Sequence, residues 1–310
     1  MRNSFTSSFR HYAWCVLSVE AALLLIFAST SIALVKYVVE PNDHFITGLD
    51  LIRNSTAPNA AFGDSHIVWG FVGSPDFVTL GTEGETIADM ELRVRYYFRN
   101  KRPQEVIIQG DPHSFARYKL ERGIHAYMRG MGASFTQRFI DHHSQYLGQY
   151  WWTVLANRGI HVFRPRHEVR WGWVVGKERW SSVDPAKRVQ QAQSRARRQA
   201  PIEGFQRQPF AESYYRTLSF LKRSGAEICI ATMPVSYDYY TYLERNPSTA
   251  TAIGFFQDAA RRYGARYVNF LDLYADPQFD RYFTDPDHLN EVGAPQLTKK
   301  LLPACFDRTE

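Results

Sequence analysis

The sequence predicts an α/β fold: a three-layer α/β/α domain built on a parallel sheet and preceded by one N-terminal transmembrane helix. Three observations lead there. Short apolar runs bounded by turn-forming residues alternate with longer segments of helical periodicity. One long apolar stretch lies near the N terminus. With 45% hydrophobic and 22% charged residues in 310, the chain can fill one substantial core, so disorder is not the starting assumption.

The apolar stretch, residues 13–35 (AWCVLSVEAALLLIFASTSIALV), is long enough as a helix to span about 30 Å of hydrocarbon. Arg2, Arg10 and His11 precede it, and Trp14 and Tyr37 fall where interfacial aromatics belong, which places the N terminus in the cytoplasm. The expected organisation is a cytoplasmic N terminus and anchor over residues 1–38, then an extracytoplasmic domain over 39–310. That domain would stand on a bacterial inner membrane, periplasmic or extracellular. A cleaved signal peptide is the competing reading; the run exceeds an h-region of about 7 to 15 residues and lacks an A-x-A site. Glu20 and the small pairs Ser18/Ala22 and Ser29/Ala33 suit a membrane partner, although snorkelling and chance spacing also account for them.

Beyond a polar connector (Glu40, Pro41, Asn42, Asp43), strands are expected at Asn59 to Phe62, Phe77 to Leu80, Glu105 to Gln109, Glu227 to Thr232 and Tyr267 to Phe270. Helices are expected from Thr86 to Phe98 and from Ala211 to Arg223, the latter with Tyr214, Leu218 and Leu221 at helical spacing before Gly225. The alternation breaks over about 115–200, read as an insertion. Phe135, Phe139, Tyr146, Tyr150 and Val154 suggest an amphipathic helix there, and Arg164 to Arg198 is basic and punctuated by Trp171, Trp173 and Trp180.

A net charge of +6 and a pI near 9.1 are compatible with anionic lipid, an acidic polymer or nucleic acid. No nucleic-acid motif accompanies the basic residues, and they lie in a segment expected to be exported, so nucleic acid is not an expected partner. The arginines and tryptophans of the insertion suit a glycan surface, with buried tryptophans under a solvated basic face as the alternative. The three cysteines have no zinc-site spacing. Cys15 lies in the apolar run, leaving Cys229 and Cys305 as a bridge or as two buried thiols. His142 and His143 are adjacent and would point apart on a helix, so no metal and no cofactor is expected.

Two segments carry chemistry. Residues 60–70 read AAFGDSHIVWG, a strand running into Gly63, Asp64, Ser65 and His66; residues 283–293 read FTDPDHLNEVG. A carboxylate three residues before His288 can sit against one imidazole nitrogen while the other faces a serine from the far end of the chain. Ser65, Asp285 and His288 then fill the roles of nucleophile, orienting acid and base. The structural alternative for His288 is a helix-entry residue, with Asn290 as an N-cap.

These blocks, in this order, resemble the SGNH/GDSL hydrolase superfamily over about residues 58–302. The resemblance implies an oxyanion hole from the backbone N–H groups of Ser65 and Gly84, the latter within LGTEGET. It also favours Asp285 over Asp287 as the orienting carboxylate. The third block departs: Gly110, Asp111, Pro112 and His113 stand where the family has G-x-N-D, so the donor asparagine is a proline. A lost oxyanion donor weakens transition-state stabilisation by a few kcal/mol, and His113 is the nearest substitute, with a plain turn as its alternative. An N-terminal anchor before such a domain resembles the proteins of cell-surface polysaccharide O-acylation, of the alginate acetylation and teichoic acid D-alanylation types. That implies a serine-dependent O-acyltransferase with a polysaccharide acceptor and a membrane-bound O-acyltransferase or polymer synthase as partner. A tethered carbohydrate or lipid esterase, and a non-catalytic assembly factor of a polysaccharide export complex, are the other two readings.

Overall fold

In the computed structural model, residues 4–34, 36–37, 51–122 and 168–307 are described. The connector at 40–43, the helix expected around Phe135 to Val154, His142, His143, Arg164 and Arg166 lie outside them.

Five strands supply the centre: β1 (Asn59–Gly63), β2 (Phe77–Gly81), β3 (Glu105–Gln109), β6 (Glu227–Thr232) and β7 (Arg266–Asn269). All pair in parallel, in the order β2-β1-β3-β6-β7. Each expected strand is present within a residue or so. The last one starts and stops one residue early, with the Phe270 N–H donating to the Thr232 carbonyl at 3.0 Å as the chain leaves the sheet.

Because strand side chains alternate between faces, these short apolar runs feed two cores. Ala60, Phe62, Val106, Ile108, Ile228 and Ile230 pack on one face, beneath helices α3 (Ile87–Asn100), α6 (Pro209–Arg223) and α8 (Pro247–Tyr263). Ala61, Ile107, Cys229 and Ala231 pack on the other. There they meet α2 (Ser65–Gly70), α5 (Pro185–Gln199), α7 (Tyr237–Leu243) and α9 (Gly293–Phe306). This is the three-layer α/β/α arrangement. The Thr86 hydroxyl and the Asp89 carboxylate cap α3 reciprocally, which fixes its start. Pro209, compatible with a first helical position, starts α6 two residues before Ala211.

Between β3 and α6 the described residues form α4 (Arg117–Arg122), an antiparallel hairpin of β4 (Glu168–Arg170) and β5 (Trp173–Val175), and α5. The hairpin turn covers the β2 edge: Thr79 N–H donates to the Trp171 carbonyl at 2.9 Å. Gly172 sits at φ +84°, and a Cβ there would come within 1.8 Å of the Thr79 carbonyl oxygen. Trp173 and Trp180 are buried, at 6% and 2% exposure, whereas Trp171 is exposed at 39%. A three-tryptophan sugar platform is therefore not formed: Trp173 Nε1 donates to the Trp69 carbonyl, and Trp180 lies in the second core. Cys229 on β6 and Cys305 on α9 are bridged, with Cα atoms 5.4 Å apart.

The N-terminal helix α1 runs Ser4–Leu34, beginning well before the apolar stretch, and Phe9–Leu34 is long and apolar enough to cross a membrane. Leu23, Leu24, Leu25 and Ile26 on it are each at least 60% exposed, so its apolar surface is not spent on the domain core.

Candidate active site

The strand ends build the site, as is usual where parallel strands deliver their C-terminal ends to one edge. β1 ends at Gly63, and Asp64 caps α2 by accepting from the His66 N–H at 3.0 Å. Ser65 is thereby the first residue of α2, where a backbone N–H has no partner within the helix. β2 leads to Gly84 at φ +71°, whose carbonyl accepts from Arg122 Nη1 at 3.0 Å.

The C-terminal block forms a tight loop. Asp285 Oδ1 accepts from the Asp287 and His288 N–H groups at 3.1 and 2.9 Å, and its Oδ2 lies 2.8 Å from Nδ1 of His288. Asn290 clamps the loop from behind, donating to the Arg281 and Phe283 carbonyls at 2.8 and 3.0 Å and accepting from the N–H groups of Val292 and Gly293 at the start of α9. Asp287 Oδ1 is 3.9 Å from Nδ1 of His288, so Asp285 is the carboxylate that orients the ring. The ring stacks on Trp69, centroids 5.3 Å apart, and meets His66 edge-on at 5.6 Å. Since Trp69 and His66 both belong to α2, these contacts set His288 beside the helix that begins with Ser65.

Ser65, Gly84, Asp285 and His288 line one cleft of about 580 Å³, together with Trp69 and Tyr118. Nε2 of His288 is buried and has no hydrogen-bond partner among the described residues. An unpartnered buried nitrogen is costly unless something else uses it. Burial pushes the His288 imidazolium down; Asp285 first, then Asp287, outweigh this and leave it above the ordinary histidine value.

His113 is not a lining residue of the cleft. Its Nε2 is committed to Asp64 Oδ2, 2.5 Å away, an oxygen that also takes Lys119 Nζ. The expectation that His113 replaces the missing oxyanion donor is therefore corrected: it holds the helix cap under the serine.

Several further residues complete the site, among them Gln109 and Arg195, which sequence reasoning passed over. His66 Nε2 lies 3.2 Å from Asp287 Oδ2, and its Nδ1 lies 3.0 Å from Asp111 Oδ2, an ion-pair separation without hydrogen-bond alignment. Burial lowers the His66 pKa, but Asp111 and then Asp287 overcome that and push it up to about 10, so it is an imidazolium at neutral pH. Asp287 is fully buried; desolvation raises its pKa, but His288, Arg195 and His66 together take it well below the carboxylate range. Gln109, at the end of β3, donates to Asp64 Oδ1 and Asp111 Oδ2, both at 2.8 Å. Arg195, reaching in from α5, pairs with Asp285 and Asp287. Two triplets, His66/Asp287/His288 and His66/Asp111/His113, have ligand atoms close enough for a metal ion, but each contains the His66 ring already set between two carboxylates.

No family model matches the chain, nor does any curated protein. Among solved structures, a Bacteroides fragilis protein provisionally described as an acylhydrolase aligns over 82% of this chain and 91% of its own, with 11% identity and a TM-score of 0.40. Similarity at that level carries no functional weight, and the reading below rests on the cleft.

Proposed function

We propose that this chain is a membrane-anchored, serine-dependent O-acyltransferase that places a short acyl group, acetyl in the simplest case, on an exported polysaccharide. The observation that carries the reading is that Ser65 and His288 line one cleft while Asp285 holds Nδ1 of the ring and leaves the buried Nε2 without a hydrogen-bond partner among the described residues. In the first half-reaction Nε2 takes the Ser65 proton as Oγ attacks the donor carbonyl. The N–H groups of Ser65 and Gly84 are the donors available to the oxyanion. Collapse expels the donor alcohol, which takes the proton back from His288, and leaves an acyl-serine. A sugar hydroxyl, deprotonated by the same nitrogen, then attacks that ester and regenerates Ser65.

The apolar Phe9–Leu34 helix supports a tether, and the Cys229–Cys305 bridge supports a domain outside the reducing cytoplasm, in keeping with a periplasmic or extracellular site. A membrane-bound O-acyltransferase or polymer synthase would supply the acyl donor or the acceptor. Hydrolysis is the second reading. One observation favours it: Glu83, Glu178 and Arg198 at the cleft rim are exposed, so water reaches the site. The test is product analysis with an acetyl ester donor, with and without polysaccharide, in the wild type and Ser65→Ala. Acetylated polymer formed at the expense of free acetate, only by the wild type, is the expected result. Free acetate alone, unaffected by acceptor, would make the chain an esterase.

A further inference from the structure

One side chain of the inserted helix α5 enters the machinery. Arg195 Nη1 donates to Asp285 Oδ2 at 2.7 Å, the same oxygen that faces Nδ1 of His288 at 2.8 Å. Arg195 Nε stands 3.0 Å from Asp287 Oδ1, and the other oxygen of Asp287 meets His66. His66 follows Ser65 in the chain. The contacts thus run from the nucleophile's own helix through Asp287, Arg195 and Asp285 to the triad histidine.

The charges in this cluster nearly cancel. The carboxylates of Asp64, Asp111, Asp285 and Asp287 are set against Lys119, the His66 imidazolium and Arg195, leaving one negative charge over while His288 is neutral. That surplus complements the imidazolium that forms when Ser65 gives up its proton. Removing Arg195 would leave two negative charges over, with carboxylate oxygens at 2.8 and 3.9 Å from Nδ1 of a buried ring. Such a ring is held protonated, and a protonated ring cannot accept the serine proton.

We propose that Arg195 is a positioning residue for the reaction: the inserted helix supplies the cation that fixes Asp285 against His288 and leaves the imidazole free to act as base. The inference rests on the serine-enzyme reading above. The charged groups that face His288 are Asp285 and Asp287 from its own loop, His66 from α2 and Arg195 from α5.

The test is the pH profile of kcat/KM for a chromogenic acetyl ester, measured on the full chain in detergent for the wild type, Arg195→Gln and Arg195→Lys. Arg195→Gln should lose at least about tenfold at neutral pH, a fraction of one general-base contribution, and its acid limb should move to higher pH. Arg195→Lys should restore the limb but not the full rate, because an ammonium cannot bridge two carboxylates as a guanidinium does. Guanidinium salt added to Arg195→Ala should recover part of the rate. A purely structural role would lower rate and thermal stability without moving the limb. An unmoved acid limb, or an unchanged rate, in Arg195→Gln or Arg195→Ala protein that a fluorophosphonate still labels at Ser65 overturns the proposal. If Arg195→Gln does not fold, Arg195→Ala without added guanidinium carries the same pH test. Failure of the wild type itself to be labelled would instead remove the serine reading, so the two failures are separable.

Discussion

Asp285 and Asp287 lie two positions apart in one loop, yet the structure gives them different tasks. Asp285 is half-exposed and orients His288, so Asp285→Asn should keep the fold and lose activity by about a thousandfold or more, as expected when the imidazole is left in the wrong tautomer. Asp287 is fully buried between His66 and Arg195, so Asp287→Asn strands two cations and should cost stability, on the order of 3–5 kcal/mol for one broken buried pair. Denaturant unfolding beside ester hydrolysis separates the two variants. His66 makes a second prediction. Its folded pKa of about 10 lies above the ordinary value of 6.5, so its stabilisation is complete below about pH 6.5 and is lost as pH rises towards 10. Unfolding free energy should therefore fall over that window by at most about 1.4 kcal/mol per pH unit, the slope of one proton, and the slope should be missing in His66→Gln. Asp285 and His288 were legible in the sequence because they are three residues apart. Arg195 was not, because it meets Asp285 across 90 residues of chain, and nothing in a basic run marks which arginine turns inward.

At the level of elements, strands and helices were legible wherever one face is buried. Ile107 and Ile108 go to opposite cores, and an apolar run bounded by turns announces that. The hairpin of β4 and β5 was not legible: its strands have three residues each, too few for a period, and tryptophans among arginines read equally as a sugar platform or as packing. Packing wins for Trp173 because the hairpin lies over α2 and the β2 edge, and for Trp180 because it lies in the second core. The cysteines were likewise open between bridge and thiols until β6 and α9 were seen side by side. The bridge closes a loop of 76 residues, so Cys305→Ser should lower unfolding free energy by about 4 kcal/mol on the loop-entropy account, measured by denaturant titration with and without reductant. Wild type and variant should converge once the wild type is reduced.

At the scale of the molecule, an exposed apolar helix precedes a fold whose proposed catalytic residues come from its two ends, Ser65 after β1 and His288 before α9. The first and last blocks of the domain were readable because each is local. The third block was readable only as a departure from the pattern it resembles, and the structure sets His113 and Asp111 against Asp64 and His66 beneath the cleft. The proposed chemistry requires an acyl group to pass through Ser65. The most direct measurement is intact-protein and peptide mass spectrometry of the full chain, quenched in acid after brief exposure to an activated acetyl ester. One acetyl group is expected on the peptide containing Ser65, absent in Ser65→Ala and accumulating slowly in His288→Ala. Acetyl turnover by a folded Ser65→Ala protein, or a wild type that turns over with no adduct and no Ser65 labelling by a fluorophosphonate, would contradict it.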